Sequence, residues 1–130
     1  MSENLDLVRN YLVDMDLSIT FEDEEQELLI VSDEDRGIHN MVIDCEPPIV
    51  ILEQLIMPVP DSPGDLFKRL LIMNNTLVHG AFVLDEVGAR IFFRDTLQLE
   101  NLDANELEGS VQALSLALAE HGVELMSFSA

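Results

Sequence analysis

The sequence predicts an α+β fold, an antiparallel β-sheet packed with three helices, in the order α-β-β-β(-β)-α-β-β-α. Three observations carry that expectation. Apolar residues recur at helical spacing near the start, in the middle and near the end of the chain. Between these segments they alternate or run together over strand-length stretches. Glycine, proline and clustered acids separate the runs as turns.

Each element can be justified in order. Leu5, Val8, Leu12 and Met15 recur at helical spacing behind Ser2, a candidate N-cap, and predict an amphipathic helix over about residues 3 to 15. Ile19 and Phe21 then alternate with Ser18 and Thr20, and LLIV at Leu28 to Val31 follows an acidic turn, giving two short strands. SDEDRG ends at Gly37, which is free to take positive φ. NMVIDC makes a third strand. Pro47 and Pro48 interrupt, and Ile49 to Met57 supplies another, a core strand with a polar interruption at Glu53 and Gln54.

SPGD, residues 62 to 65, predicts a helix start with Ser62 as cap and Pro63 in the first turn. That helix runs to about Met73 on an apolar face of Leu66, Phe67, Leu70 and Met73, and Asn74 and Asn75 stop it because Asn tolerates the left-handed conformation. Gly80 to Leu84 and Arg90 to Arg94 form a hairpin around DEVG. Asp103, with Glu106 three residues on, caps a last helix through Leu107, Val111, Leu114 and Leu118 that ends at His121 and Gly122. Ala113, Leu116, Ala117 and Ala119 widen its apolar stripe beyond one face, as in a helix deep in a core or between subunits. The expected core comprises Phe21, Ile30, Ile43, Ile51, Leu70, Phe82, Leu84, Phe92, Leu107, Val111 and Leu114.

Composition bounds the function. The 130 residues make one domain by length, able to bury a core without a disulfide or metal. The single cysteine, Cys45, has no internal partner, and the N-terminus lacks the basic start and apolar run of a signal peptide, so a cytoplasmic location is expected. With 26 acidic residues against 6 basic ones and a formal net charge of -20, the surface repels phosphate backbones and anionic membranes, which excludes both as partners. Because 48% of the residues are apolar and periodic, the acid coats a folded core. It serves solubility, or it attracts basic and amphipathic protein segments.

No reaction is spelled out. The six glycines form no phosphate-binding loop, and HExxH, GxSxG and CxxC are absent. His39, His79 and His121 lie far apart without ligand spacing, so no metal or cofactor is expected. Cys45 sits between Asp44 and Glu46, whose charge disfavours a thiolate nucleophile. The acidic runs at Glu22 to Glu25, with Glu27, and at Asp33 to Asp35 lack the alternation of a calcium loop. Asp85 and Glu86 occupy a hairpin tip, where water would leave their pKa values near normal.

The stretch LLIMNNTLVHGAFVLDEVGARIFFRDTLQLENLDANELEGSVQALSLALAE resembles the YbjN-like family and, more distantly, the Tir chaperone family of type III secretion chaperones. The features that carry the resemblance are the helix ending in Asn74 and Asn75, the hairpin HGAFVLD with G-x-R after its turn, and the LQLENLDANELE entry to the last helix. It implies a type III secretion chaperone-like fold and a small, acidic, cytoplasmic homodimer that binds other proteins or regulates them, without cofactor or catalysis. Secretion chaperones hold an extended client segment by strand addition or groove contact.

The candidate partner contacts are Phe92 and Arg94 on the hairpin, then Leu97, Leu99 and Glu100, where apolar and polar side chains alternate toward a charged rim. The alternative is that the three apolar ones are core and Glu100 plain surface. A basic or amphipathic protein segment is the expected partner. The competing class is a small enzyme with a site assembled by the fold around His79 and Asp95.

Overall fold

The computed structural model describes residues 3–129, so the proposed cap at Ser2 lies outside the described residues. Helix α1 (Glu3–Asp14) precedes β1 (Ser18–Asp23), β2 (Leu28–Asp33), β3 (Ile38–Glu46) and β4 (Ile49–Pro58). Helix α2 (Leu66–Asn74), the hairpin β5 (Ala81–Leu84) and β6 (Arg90–Gln98), and α3 (Ala104–Ser127) complete it. The order is the one the sequence predicts, with the fourth strand of the first block present. All strand pairings are antiparallel, in the order β1-β2-β3-β4-β6-β5, so β6 is inserted against β4 and β5 is left at an edge.

One core joins the three helices to one face of the sheet. Leu5, Val8 and Leu12 of α1, Leu66, Leu70 and Met73 of α2, and Leu107, Val111, Leu114 and Ala117 of α3 are buried together with Leu29, Val31, Met41, Ile43, Val50, Leu52, Phe82, Ile91 and Phe93. The helix faces are those expected except at Phe67, expected on the apolar face of α2 but exposed, the buried stripe there being Leu66, Leu70 and Met73. The parity of several strands is reversed. Phe21 is exposed, and Ile30, Ile51 and Phe92 only half-buried, because each points to the opposite face of the sheet, which no helix covers. Their neighbours Leu29, Val31, Val50, Leu52, Ile91 and Phe93 fill the core instead. Leu84 pairs with buried Ile91 on the helix side and is exposed because β5 is the sheet edge.

Local chemistry explains where the elements end. The SPGD segment is a turn outside α2: Pro63 O accepts from Leu66 N, and Asp65, without a side-chain cap, precedes the first helical residue. Asn75 ends α2 in right-handed geometry, contrary to the left-handed stop expected. Asn74 does the work of positioning instead. Its Oδ1 accepts from Phe82 N at 2.8 Å and its Nδ2 donates to Phe82 O at 3.1 Å, so one side chain pairs with strand β5 as a neighbouring backbone would.

Asp103 caps α3 as predicted, accepting from Glu106 N at 2.8 Å. That helix passes His121 and Gly122 and runs to Ser127. His121 is buried there, within 2.9 Å of the Thr76 hydroxyl and edge-on to Phe82. The polar interruption in β4 also has a physical reason. Gln54 is buried, its Oε1 accepts from His39 N and its Nε2 donates to Gly37 O, so it satisfies the backbone where β3 begins. Gly37 itself takes φ +75°, as the turn requires.

Candidate functional site

The uncovered face of the sheet is read directly from the strand register. Phe21, Ile30 and Val42 lie side by side across β1, β2 and β3, followed in the same row by Glu53 of β4 and Arg94 of β6. A second row runs through Asp23, Leu28, Asp44, Ile51 and Thr96, and a third through Leu55, Phe92 and Val83. The arrangement follows from strands that are apolar on both faces. Three helices cover one face and leave the other as a mixed surface, where apolar side chains sit among Asp23, Asp44, Glu46 and the Glu53–Arg94 pair.

Two of the five candidate contact residues lie on this face. Phe92 is half-buried, with the Arg90 guanidinium 5.7 Å above its ring, and Arg94 is exposed and 3.9 Å from Glu53. Leu97 pairs with Val50 and points to the helix-covered side, where it packs against the core. Leu99, just beyond β6, is a buried core residue, and Glu100 is exposed in the following turn. The fold thus divides the set: Phe92 and Arg94 face outward together, while the two leucines support the sheet from behind.

Asp44 gives the open face its electrostatic character. One carboxylate oxygen, Oδ1, is buried without a hydrogen-bond partner between Leu28 and Ile51. Burial first, then the charges of Glu46, Glu27 and Glu53, push its pKa up from the ordinary carboxylate value. Since the folded-state pKa lies above the unfolded one, ionised Asp44 costs stability at neutral pH. That cost fades as pH falls through the folded pKa and is gone below the unfolded value of about 3.9. Asp44→Asn is therefore expected to raise the urea midpoint at neutral pH and to lose that advantage near about pH 4. Midpoints that differ equally at both pH values would assign the effect to packing.

The alternative centre is partly assembled. His79 and Asp95 line one hollow of about 270 Å³ with Leu97, Glu106 and Ser110. Yet Asp95 accepts from Thr96 N at 2.9 Å and from the Ser110 hydroxyl at 2.7 Å, and His79 is exposed. Among the described residues no side-chain hydrogen bond holds the His79 imidazole. Cys45 is buried, and its pKa is pushed up to about 11 by burial, then by Glu27 and Asp44, which keeps it a thiol. Among the described residues no group of three or more His, Cys, Asp or Glu side chains could hold a metal ion, and no helix is long and apolar enough to cross a membrane.

Asp85 departs from the expectation of an ordinary carboxylate. Its Oδ1 accepts from Ala89 N at 2.7 Å and from Arg90 N at 3.3 Å, and Oδ2 meets the Arg90 guanidinium at 3.1 Å. The backbone bond to Ala89 is the largest cause of a pKa held below the usual value, and Arg90 adds to it. The group closes the β5–β6 turn as a structural anion.

A further apolar area lies at the sheet edge. Phe67 and Leu71 of α2 and Leu84 of β5 are exposed around a shallow hollow, and Leu71 is 73% exposed. The α2 segment, LFKRLLIMN, has no acidic residue and carries Lys68 and Arg69. Arg69 is paired with Glu124 of α3.

Comparison with known proteins agrees with this architecture. No curated protein matches the chain by sequence. Among solved structures, YbjN from E. coli superposes with a TM-score of 0.72 at 17% identity, covering 93% of this chain and 92% of that one. The Yersinia pestis type III secretion chaperone SycH, in complex with a stable fragment of YscM2, gives 0.65 at 11% identity over 89% of this chain and 98% of that one. A chain of the HopA1–SchA chaperone–effector complex gives 0.64 at 15% identity over 89% of this chain and 93% of that one. At these identities the likeness is one of fold. The sequence itself carries the assignment further, for the CesT_Tir_1 family model matches residues 1–130, and the chain belongs to that family.

Proposed function

We propose that this protein is a non-catalytic, chaperone-like protein-binding module that acts in the cytoplasm as a homodimer and holds a basic or amphipathic segment of a partner protein. The observation that carries the reading is the open sheet face, where the row Phe21, Ile30, Val42 runs through Glu53 to Arg94, with Leu55 and Phe92 in the row on one side and the unpartnered oxygen of Asp44 in the row on the other. Apolar anchors supply most of the affinity of such a surface, and opposite charge speeds encounter. The fold's occurrence in a chaperone–effector complex and in a secretion chaperone bound to a protein fragment supports the same class of work.

The test is binding of extended synthetic peptides that alternate apolar and basic residues, against matched peptides with acids in place of the bases. Association is expected to slow as salt rises, and dissociation to quicken in Phe92→Asp and Phe21→Asp with circular dichroism unchanged. Salt-independent binding, or binding indifferent to both substitutions, would sink the reading. We propose the dimer contact on α2 and the β5 edge, where Phe67, Leu71 and Leu84 are exposed and α2 carries no acidic residue. Leu71→Glu should convert a dimer mass in light scattering to a monomer mass. A wild-type monomer at micromolar concentration would remove the dimer from the proposal.

A further inference from the structure

On the outer side of α3 the protein carries a second surface, separate from the open sheet face. The segment Leu77 to His79 stands away from α3 and leaves a groove of about 650 Å³, within the range of about 300–1,000 Å³ usual for ligand sites. Along its helical wall lie Gly109, Ala113, Leu116 and Glu120, steps of four, three and four residues that place them on one ridge over three turns. Val78 is 89% exposed and Leu116 68% exposed, so two large apolar side chains flank a floor of small residues.

Two features show what fits. Gly109 lies inside a helix, where glycine costs about 0.5–1 kcal/mol relative to alanine. A methyl group built there meets no atom within 4 Å, so packing within the chain does not require the glycine, while both this groove and the adjoining hollow are lined by it. A missing side chain at that point lets another backbone approach. Charge is the second feature. Glu120 lies at one end of the groove, and Glu106, Glu108 and Asp95 line the adjoining hollow at the other, with no Lys or Arg on either among the described residues. A second copy of a chain with formal charge -20 would bring more carboxylates to these ends.

We infer that the α3 groove docks an amphipathic helix of a partner protein whose apolar i, i+3/i+4, i+7 stripe seats between Val78 and Leu116 and whose flanking Lys or Arg residues meet Glu120 and the Glu106–Glu108 end. This rests on the protein-binding reading and adds a site to it. The binding geometry is helix in groove here and extended segment on the sheet face. The two surfaces can therefore be disabled separately.

The test is anisotropy of a labelled Leu/Lys amphipathic helical peptide titrated with the full chain. Gly109→Leu fills the groove from a position with open space and better helix propensity, so the fold is expected to stand. Affinity should fall by at least about tenfold. Glu120→Lys should weaken binding and flatten its salt dependence, and a Leu/Glu peptide of the same pattern should not bind. If Phe92→Asp removes binding of this peptide and Gly109→Leu does not, the groove is overturned while the sheet-face reading stands. Affinity unchanged by Gly109→Leu, equal binding of the Leu/Glu peptide, or no binding by the wild type also overturns it. Should Gly109→Leu alter circular dichroism, Leu116→Ser is the substitute, with the same expected loss and the same consequence if none occurs.

Discussion

Gly80→Ala is expected to lower stability by about 2–5 kcal/mol, from two additive causes. Gly80 takes φ +75°, a left-handed conformation that costs an L-residue roughly 1–2 kcal/mol. A Cβ there would also lie 2.4 Å and 2.7 Å from ring atoms of Phe93. That ring is 1% exposed and packed edge-on against Phe82 at 5.7 Å, so it cannot step aside into solvent, and overpacking of such a core costs about 1–3 kcal/mol. Gly64→Ala separates the two causes, because Gly64 takes φ +56° with nothing within 4 Å of its added Cβ. Urea denaturation should show a small loss for Gly64→Ala and a clearly larger one for Gly80→Ala. Equal losses would mean that Phe93 accommodates the methyl freely.

The same contact between β5 and β6 shows how far the sequence could be read. Helix faces were legible because a 3.6-residue period leaves one stripe: Leu5, Val8 and Leu12, or Leu107, Val111 and Leu114, are buried as the spacing predicts. Strand faces were not. LLIV, IVIL and IFF are apolar at successive positions, so alternation gives no parity, and the choice between Ile30 and Val31 or between Phe92 and Phe93 depends on which face the helices cover. The bulge between Leu55 and Met57 shifts the parity once more within β4.

The candidate site inherited that ambiguity. Phe92 and Arg94 share a face with each other, whereas Leu97 lies an odd number of positions further along the same strand and so on the other side. The row joining Phe92's face to Phe21, Ile30 and Val42 is a product of pairing between distant strands. The α3 groove was hidden for a similar reason, since Val78 and Leu116 meet only in the fold. Its local traces were an apolar excess on α3, where Leu116 falls outside the core stripe, and a glycine inside a helix.

Leu114→Ala tests the helix whose two sides this reading separates, and it should cost about 2–5 kcal/mol, a large part of the about 5–15 kcal/mol that holds a domain of this size. Leu114 has no exposed surface and belongs to the core with Val111, Ala117 and Leu107, so truncation leaves a cavity as well as lost apolar burial. Leu116→Ala, two residues on, removes the same atoms from a side chain that is 68% exposed. That change should stay within about 0.5 kcal/mol, because alanine and leucine are both good helix formers and no core cavity forms. Denaturation midpoints well apart for the two variants are the expected result. In the peptide titration the order should reverse: at temperatures where both variants are folded, Leu116→Ala weakens docking in the groove and Leu114→Ala leaves it near wild type. A Leu116→Ala variant as destabilised as Leu114→Ala would show that Leu116 serves the core, and the groove would lose one of its two apolar flanks.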